Sequence, residues 1–224
     1  MMKYHTLIIS DLHLGSRICR TDKIMSVLND FNFKNLIING DLFDTNTTTK
    51  FKENHWHILS KISSLAEHKN VLLVGGNHGR RLDPLAEKMG ITIVEHYSFK
   101  IGDKRFLCLH GDEFDMYVRN LPITSDLFTK IYYLIQQVGG KKQSLSMIVK
   151  RASKQILGIS RRQQRLALEY GRMHNANVII CSHTHIPHMS KEDENVFLNT
   201  GSFCDNPSTF ITIEKNGAMQ LHEL

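Results

Sequence analysis

Four cysteines in 224 residues, Cys19, Cys108, Cys181 and Cys204, stand far apart and form no C-x-x-C pair. This excludes a disulfide framework or a zinc knuckle and makes a reducing cytoplasm the expected setting. No apolar run approaches the ~18 residues of a membrane span. The opening MMKYHTLIIS is apolar only briefly before it meets Asp11-Leu12-His13, so it does not read as a secretory signal. The chain has no internal repeat, no low-complexity tract and no proline- or serine-rich linker. With 41% hydrophobic and 22% charged residues it is not a disordered, collagen-like or coiled-coil sequence. Its length fits a single domain, 1–224, with room for one elaboration.

What is abundant is positive charge and histidine: a formal net charge of +6 and 13 histidines. The charge is unevenly spread. Residues 116–175 hold 11 Lys and Arg against two acids, Asp126 and Glu169, while the rest of the chain is net −3. The same segment reads as helical, with breaks near Pro122 and Gly139-Gly140. Apolar residues recur in it at helical spacing: Leu127, Ile131, Leu134 and Val138, then Leu145, Ile148, Ala152 and Ile159. A basic helical insertion over 116–175 is therefore expected. Three uses are open to it: packing on itself and the core with its lysines solvated, binding an anionic ligand or lipid surface, or gripping nucleic-acid phosphates.

Around the insertion the pattern is that of an α/β protein. Short continuous apolar runs at 4–10, 35–39 and 70–74 read as strands covered on both faces. Amphipathic stretches at 21–32 and 52–67 separate them; in the second, Trp56, Leu59, Ile62 and Leu65 recur at three-residue steps. Further strands are expected at 91–94, 97–101, 105–109, 177–182, 196–199 and 209–213, with Gly102-Asp103 and Asn216-Gly217 as hairpin turns. The result is a layered α/β core with a helical stretch inserted between two of its strands.

The chemistry sits where strands end. Asp11 and His13 follow the first strand, and Asp41 and Asp44 the second. Asn77 and His78 follow the third, His110 and Asp112 a later one, and His183 and His185 another. Carboxyl ends of strands in an α/β sheet gather at one edge, where ligands bind. Asp11, His13, Asp41, Asn77, His110, His183 and His185 make a mixed nitrogen and oxygen donor set without thiolate. That set suits manganese first, with iron, zinc, cobalt or nickel as alternatives, over calcium or magnesium. Seven donors exceed one tetrahedral site and fit two divalent metal ions sharing Asp41 as a bridge, the usual clamp for phosphoester hydrolysis.

The blocks D-L-H, G-D-L-F-D, G-N-H, H-G-D and S-H-T-H, in this order over residues 11–185, resemble those of the calcineurin-like metallophosphoesterases. The resemblance implies a four-layer α/β/β/α sandwich with a helical cap. It also implies a ligand division: Asp11, His13 and His185 on one metal, Asn77, His110 and His183 on the other, Asp41 between them. A metal-bridged hydroxide would attack phosphorus. His78 would contact the phosphate and protonate the leaving oxygen. One position departs from the family. Its G-N-H block continues with an acid that orients the histidine, whereas Gly79 stands here; Asp44, Asp112 or Asp115 would have to substitute. Asp44 otherwise reads as a support for the ligands or a helix cap. Arg80 and Arg81 follow the block directly and are either a phosphate clamp or solvated.

A looser resemblance, carried by H-G-D-E-F-D, the helical insertion and S-H-T-H-I-P, is to the UDP-2,3-diacylglucosamine pyrophosphohydrolase branch, whose cap holds acyl chains. The best-known enzyme of that branch carries Arg where this chain has His78, which argues for a different substrate preference. The expected activity is thus hydrolysis of a phosphodiester or pyrophosphate in an anionic, amphiphilic substrate, by a cytoplasmic protein with optional membrane-surface contact through the insertion. A nuclease or cyclic-nucleotide phosphodiesterase on the same core, and a non-catalytic metal-binding scaffold, are the alternatives. His5, His55, His57, His68, His96, His174, His188 and His222 lie outside the blocks and read as structural.

Overall fold

A computed structural model describes residues 3–114 and 143–224. The expected break at Pro122, the Gly139-Gly140 pair, the first apolar stripe of the insertion and Asp115 lie outside the described residues.

Two sheets form the centre. The first has strand order β11-β10-β1-β2-β3-β4, built from β1 (Lys3–Ile9), β2 (Asn32–Asn39), β3 (Asn70–Val74), β4 (Thr92–Val94), β10 (Thr209–Ile213) and β11 (Met219–Glu223). β1 to β4 run parallel, and β10 and β11 close one side antiparallel. The second has order β5-β6-β7-β9-β8, from β5 (Tyr97–Ile101), β6 (Lys104–Cys108), β7 (Val178–Cys181), β8 (His188–Glu192) and β9 (Asn195–Asn199), with β6, β7 and β9 parallel.

Continuous apolar strands arise because each strand packs on both faces. In β1, Leu7 and Ile9 face helices while Ile8 faces the other sheet; in β2, Leu36 and Ile38 oppose Ile37; in β3, Val71 and Leu73 oppose Leu72 and Val74. The outward residues pack on α1 (Thr21–Asp30), α2 (Glu53–Ala66) and α3 (Asp83–Lys88). Across the inter-sheet core, Ile8, Ile37 and Leu72 meet Phe106, Cys108, Val178 and Ile180. The fourth layer is α4 (Gln143–Met173), whose Ala167 and Leu168 pack against Leu107, Leu109, Ile179, Cys181 and Phe197. The structure is thus the α/β/β/α sandwich expected from the sequence. The last part of the basic segment supplies its outer helical layer.

Three local differences have physical causes. Helix α2 turns His55, Ile58, Leu59 and Ile62 inward and leaves Trp56 45% exposed. Three-residue steps drift off a 3.6-residue period, and the true stripe steps by three and four. Strand β8 was not foreseen because its sequence, HMSKE, is an exposed edge without an apolar side. Helix α3 is six residues long, Asp83 to Lys88 with Pro84 second, and is too short to show a period. Among the described residues no helix is long and apolar enough to cross a membrane.

Candidate metal centre

The parallel strands of both sheets point their carboxyl ends to one edge, and the loops leaving them carry the expected donors. Backbone geometry marks the same residues. Asp11, His13, Asp41, His183 and His185 all have positive φ, between 46° and 65°. For non-glycine residues that conformation costs about 1–3 kcal/mol each and persists where the surroundings over-determine it. Beneath them lies a layer of buried polar side chains at the strand ends. Ser10 binds Thr200 at 2.6 Å and donates to Gly201 O. The Ser182 hydroxyl donates to Asn39 O at 2.5 Å, and the Asn39 amide donates to Leu109 O at 3.0 Å. These bonds satisfy the backbone where the ladders stop and hold the loops above them.

Two groups of side chains converge. In one, His185 Nε2 lies 3.1 Å and His13 Nε2 4.0 Å from Asp11 Oδ1. In the other, His110 Nε2 lies 3.2 Å from Asn77 Oδ1 and 3.4 Å from Asp41 Oδ2, with the His183 ring 5.1 Å from the His110 ring. Asp41 faces both groups, since its Oδ2 is also 3.7 Å from His13 Nε2. Its other oxygen, Oδ1, accepts the His78 backbone N–H at 2.9 Å. Asp11, His13 and His185 present ligand atoms within 4.8 Å of one another, and so do Asp11, Asp41 and His110.

The donor set fits divalent cations. Asp11 is fully buried and its Oδ2 has no hydrogen-bond partner. A buried carboxylate oxygen left without a partner is costly, and a cation beside it removes that cost. The other facing atoms are equally telling. His110 Nδ1 lies 3.1 Å from Asn39 O, so it carries a proton, and Nε2, facing two oxygen acceptors, is the atom that takes either a second proton or a cation. In the metal-free protein protons fill this role. Burial alone would discharge His110, but the Asp41 carboxylate outweighs it and pushes the ring up to about 10. His185 is likewise raised to about 10, burial opposing and Asp11 and Asp205 overcoming it. Burial also opposes charge on the carboxylates, yet His185 holds Asp11, and His110 holds Asp41, below the usual range.

Asp205 escaped the sequence reading. Its Oδ2 lies 2.9 Å from His185 Nδ1 and accepts the Ser202 hydroxyl. Its signal was proximity to the Asn199-Thr200-Gly201-Ser202 block, which alone carries no metal chemistry.

His78 is exposed, and its ring stands 5.1 Å from His13. Gly79 is buried at φ +65°, and a Cβ there would lie 2.4 Å from Phe43 Cβ and 2.7 Å from Phe43 O. No side chain fits, so the acid usual in the family has no place here. Instead His78 Nδ1 lies 3.4 Å from the Asp44 carbonyl oxygen, while the Asp44 carboxylate lies 3.5 Å from His13 Nδ1. Burial resists the Asp44 charge, but His13 draws its carboxyl below the ordinary value. Arg80 pairs with Glu95 at 2.5 Å, and the Arg81 backbone N–H donates to Asn46 Oδ1 at 3.1 Å. Asp112 is half-buried and close enough to His110 to favour its charge. His55 accepts the Lys52 N–H at 3.0 Å at the start of α2. Cys108 and Cys181 are buried and free, with thiol pKa values raised by burial.

A two-sheet sandwich with histidine, aspartate and asparagine donors on one strand-end edge defines a metal-dependent phosphoesterase. The chain belongs to the calcineurin-like phosphoesterase superfamily, whose domain profile matches residues 4–216. Among solved structures, an archaeal phosphodiesterase superposes with a TM-score of 0.51 at 16% identity, covering 98% of this chain and 99% of its own. YfcE, a phosphoesterase from E. coli, gives 0.50 at 14% identity, covering 98% and 97%. Vacuolar protein sorting 29 from Cryptosporidium parvum gives 0.50 at 13% identity, covering 98% and 95%. At such identities the likeness is one of fold. Comparison with curated proteins gives no significant match.

Proposed function

We propose that the chain is a dinuclear metal-dependent phosphohydrolase that cleaves a phosphodiester or pyrophosphate bond. The observation that carries this reading is the position of Asp41. One of its oxygens faces His13 at 3.7 Å and His110 at 3.4 Å, and so faces both donor groups. Asp11, His13 and His185 would hold one ion, Asn77, His110 and His183 the other, and Asp41 both; manganese is the first choice by donor type. When bound, two such ions clamp phosphate oxygens and activate water near neutral pH.

The remaining work falls to the chain. His78 Nδ1 faces the Asp44 carbonyl, so in the charged ring the Nε2 proton is the one available to a leaving oxygen. The His78 backbone N–H fixes Asp41 by its second oxygen. Glu95 occupies the Arg80 guanidinium, so of the two arginines Arg81 is the one that would remain for a phosphate.

The substrate we favour is anionic and amphiphilic, a UDP-2,3-diacylglucosamine-like pyrophosphate or a related diester. The surplus positive charge of 116–175 supports it, and so do Arg161 and Arg165, which are exposed on α4. Contact with a membrane surface through the same segment, in a cytoplasmic protein, belongs to this reading, as does treatment of 116–175 as a cap on a single domain.

The test is direct. Chelator-treated protein reloaded with Mn²⁺ should hydrolyse an aryl phosphodiester, and Asp41→Ala should lose both turnover and bound metal. Full activity in Asp41→Ala removes the proposed site. A panel of UDP-diacylglucosamine, cyclic nucleotide and oligonucleotide then separates substrates. Oligonucleotide cleavage falling steeply with salt would favour a nuclease instead. Metal binding without turnover of any phosphoester would favour a scaffold.

A further inference from the structure

We propose that Gln163 is a positioning residue of the metal centre, holding the loops of His110 and His183 in register from the outer helix; this rests on the dinuclear reading above. Gln163 sits on α4 in the layer where Leu107, Leu109, Ala167, Leu168 and Ile179 pack, and is only 3% exposed. A buried amide in an otherwise apolar layer costs stability unless it is fully bonded. Its bonds go to the site. The Gln163 Nε2 group donates to Ser182 O at 3.0 Å, and its Oε1 accepts from the Asn199 amide at 3.0 Å. That same Asn199 amide donates to Ser182 O at 2.8 Å and to Thr184 Oγ1 at 3.0 Å. Both neighbours of His183 are therefore tied to one helix side chain and its partner.

The second loop is reached by contact. Gly111, next to His110, has φ +110°, and a Cβ there would lie 2.2 Å from Gln163 Nε2. The amide nitrogen thus lies close against the backbone beside His110. Ser182 completes the circuit: its N–H donates to His110 O at 2.9 Å and its hydroxyl lies 2.9 Å from His110 Nδ1. Moving Gln163 moves Ser182, and Ser182 orients the His110 ring. The helix that carries Arg161 and Arg165 is by this route mechanically joined to the second donor group.

The experiment compares Gln163→Met, which keeps volume and removes both bonds, with Leu168→Ala, which weakens the same helix–sheet contact by packing alone. Each full-length protein is stripped with chelator. The thermal midpoint is measured without metal, Mn²⁺ binding is followed by calorimetry, and kcat and KM are taken on an aryl phosphodiester. Gln163→Met should bind Mn²⁺ several-fold more weakly, up to the ~tenfold lower end of the loss on removing a direct partner of a metal ligand, because Gln163 acts on His110 through Ser182. Its kcat should fall while KM holds. Leu168→Ala should lose thermal stability yet keep Mn²⁺ affinity. Wild-type affinity in Gln163→Met overturns the proposal, as does an equal loss in Leu168→Ala at a matched thermal midpoint. Wild-type protein that binds Mn²⁺ but hydrolyses nothing would instead overturn the functional reading and leave the Gln163 comparison intact.

Discussion

The Nδ1 atom of His185 lies 2.9 Å from Asp205 Oδ2, and the Nε2 atom of the same ring lies 3.1 Å from Asp11 Oδ1. One ring thus links an outer carboxylate to an inner one. A histidine that gives its Nδ1 proton to a carboxylate presents a more basic Nε2 in a fixed direction, which is how metal-binding histidines are commonly held. Asp205 is itself anchored, by the Ser202 hydroxyl on its side chain and by Arg20 Nη1 on its carbonyl at 3.0 Å. Asp205→Ala should weaken divalent metal binding about 10–100-fold. Calorimetric titration of chelator-treated protein with Mn²⁺ measures this, and unchanged affinity would show that Asp205 serves only the loop.

Gly79 yields a prediction against the family pattern. Restoring the family's acid as Gly79→Asp places a Cβ 2.4 Å from Phe43 Cβ at a φ of +65°. The variant should be destabilised by about 1–3 kcal/mol for the backbone alone, with the overlap adding to that. Its turnover should not rise. Chemical denaturation and a phosphodiester assay check the two halves separately. A stable variant with faster turnover would show that Phe43 yields and that the missing acid is a true loss.

How much of this was legible follows from where each residue sits. Asp11, Asp41, Asn77, His110 and His183 come straight after apolar strands, so local pattern and topology together place them at one edge. Asp205 lies 20 residues past His185 in an irregular loop, and only folding brings it back. Gln163 falls on the buried stripe of its helix, three residues after Ser160 and four before Ala167, but a polar residue type there reads as solvated until the fold shows its partners. The direction of Asp44 was equally hidden. The sequence offers Asp44, Asp112 and Asp115 in place of the missing acid, but a backbone carbonyl facing His78 leaves no trace in residue type. Strand order within each sheet, and the alternation of strand faces between helices and the opposite sheet, arise from long-range pairing that local propensity does not encode.

Proton linkage gives a signed prediction for the metal-free protein. His110 and His185 are raised to about 10 from an ordinary 6.5. Groups raised on folding contribute stability in full below the unfolded value, and that contribution is lost as pH rises through the folded value. Metal-free protein should therefore lose stability steadily between pH 6.5 and about 10. Asp11 and Asp41 are lowered from 3.8, so their contribution is present above that pH and disappears on acidification below it. These are the same pairs seen from their two partners, and their energies are not to be added. Metal ions must displace the histidine protons. Mn²⁺ binding near pH 8 should thus release protons, detected as a dependence of binding heat on the buffer's ionisation enthalpy. No such dependence would mean that the rings are already neutral.

Asp44 separates two roles that its position joins. Its carboxylate lies 3.5 Å from His13 Nδ1, whereas its carbonyl oxygen faces His78 Nδ1 at 3.4 Å. Asp44→Ala removes the first contact and keeps the second. Metal affinity should therefore fall, by up to about tenfold, because His13 loses the carboxylate that faces its Nδ1. At saturating Mn²⁺, turnover should recover to within a few-fold of wild type, since the carbonyl contact to His78 Nδ1 is retained. If the Asp44 carboxylate were instead the substitute for the acid missing at Gly79, turnover would stay low at any metal concentration and the limb belonging to the general acid would shift. Measuring kcat against pH at several Mn²⁺ concentrations decides between a carboxylate that serves the metal ligand and one that serves the proton donor.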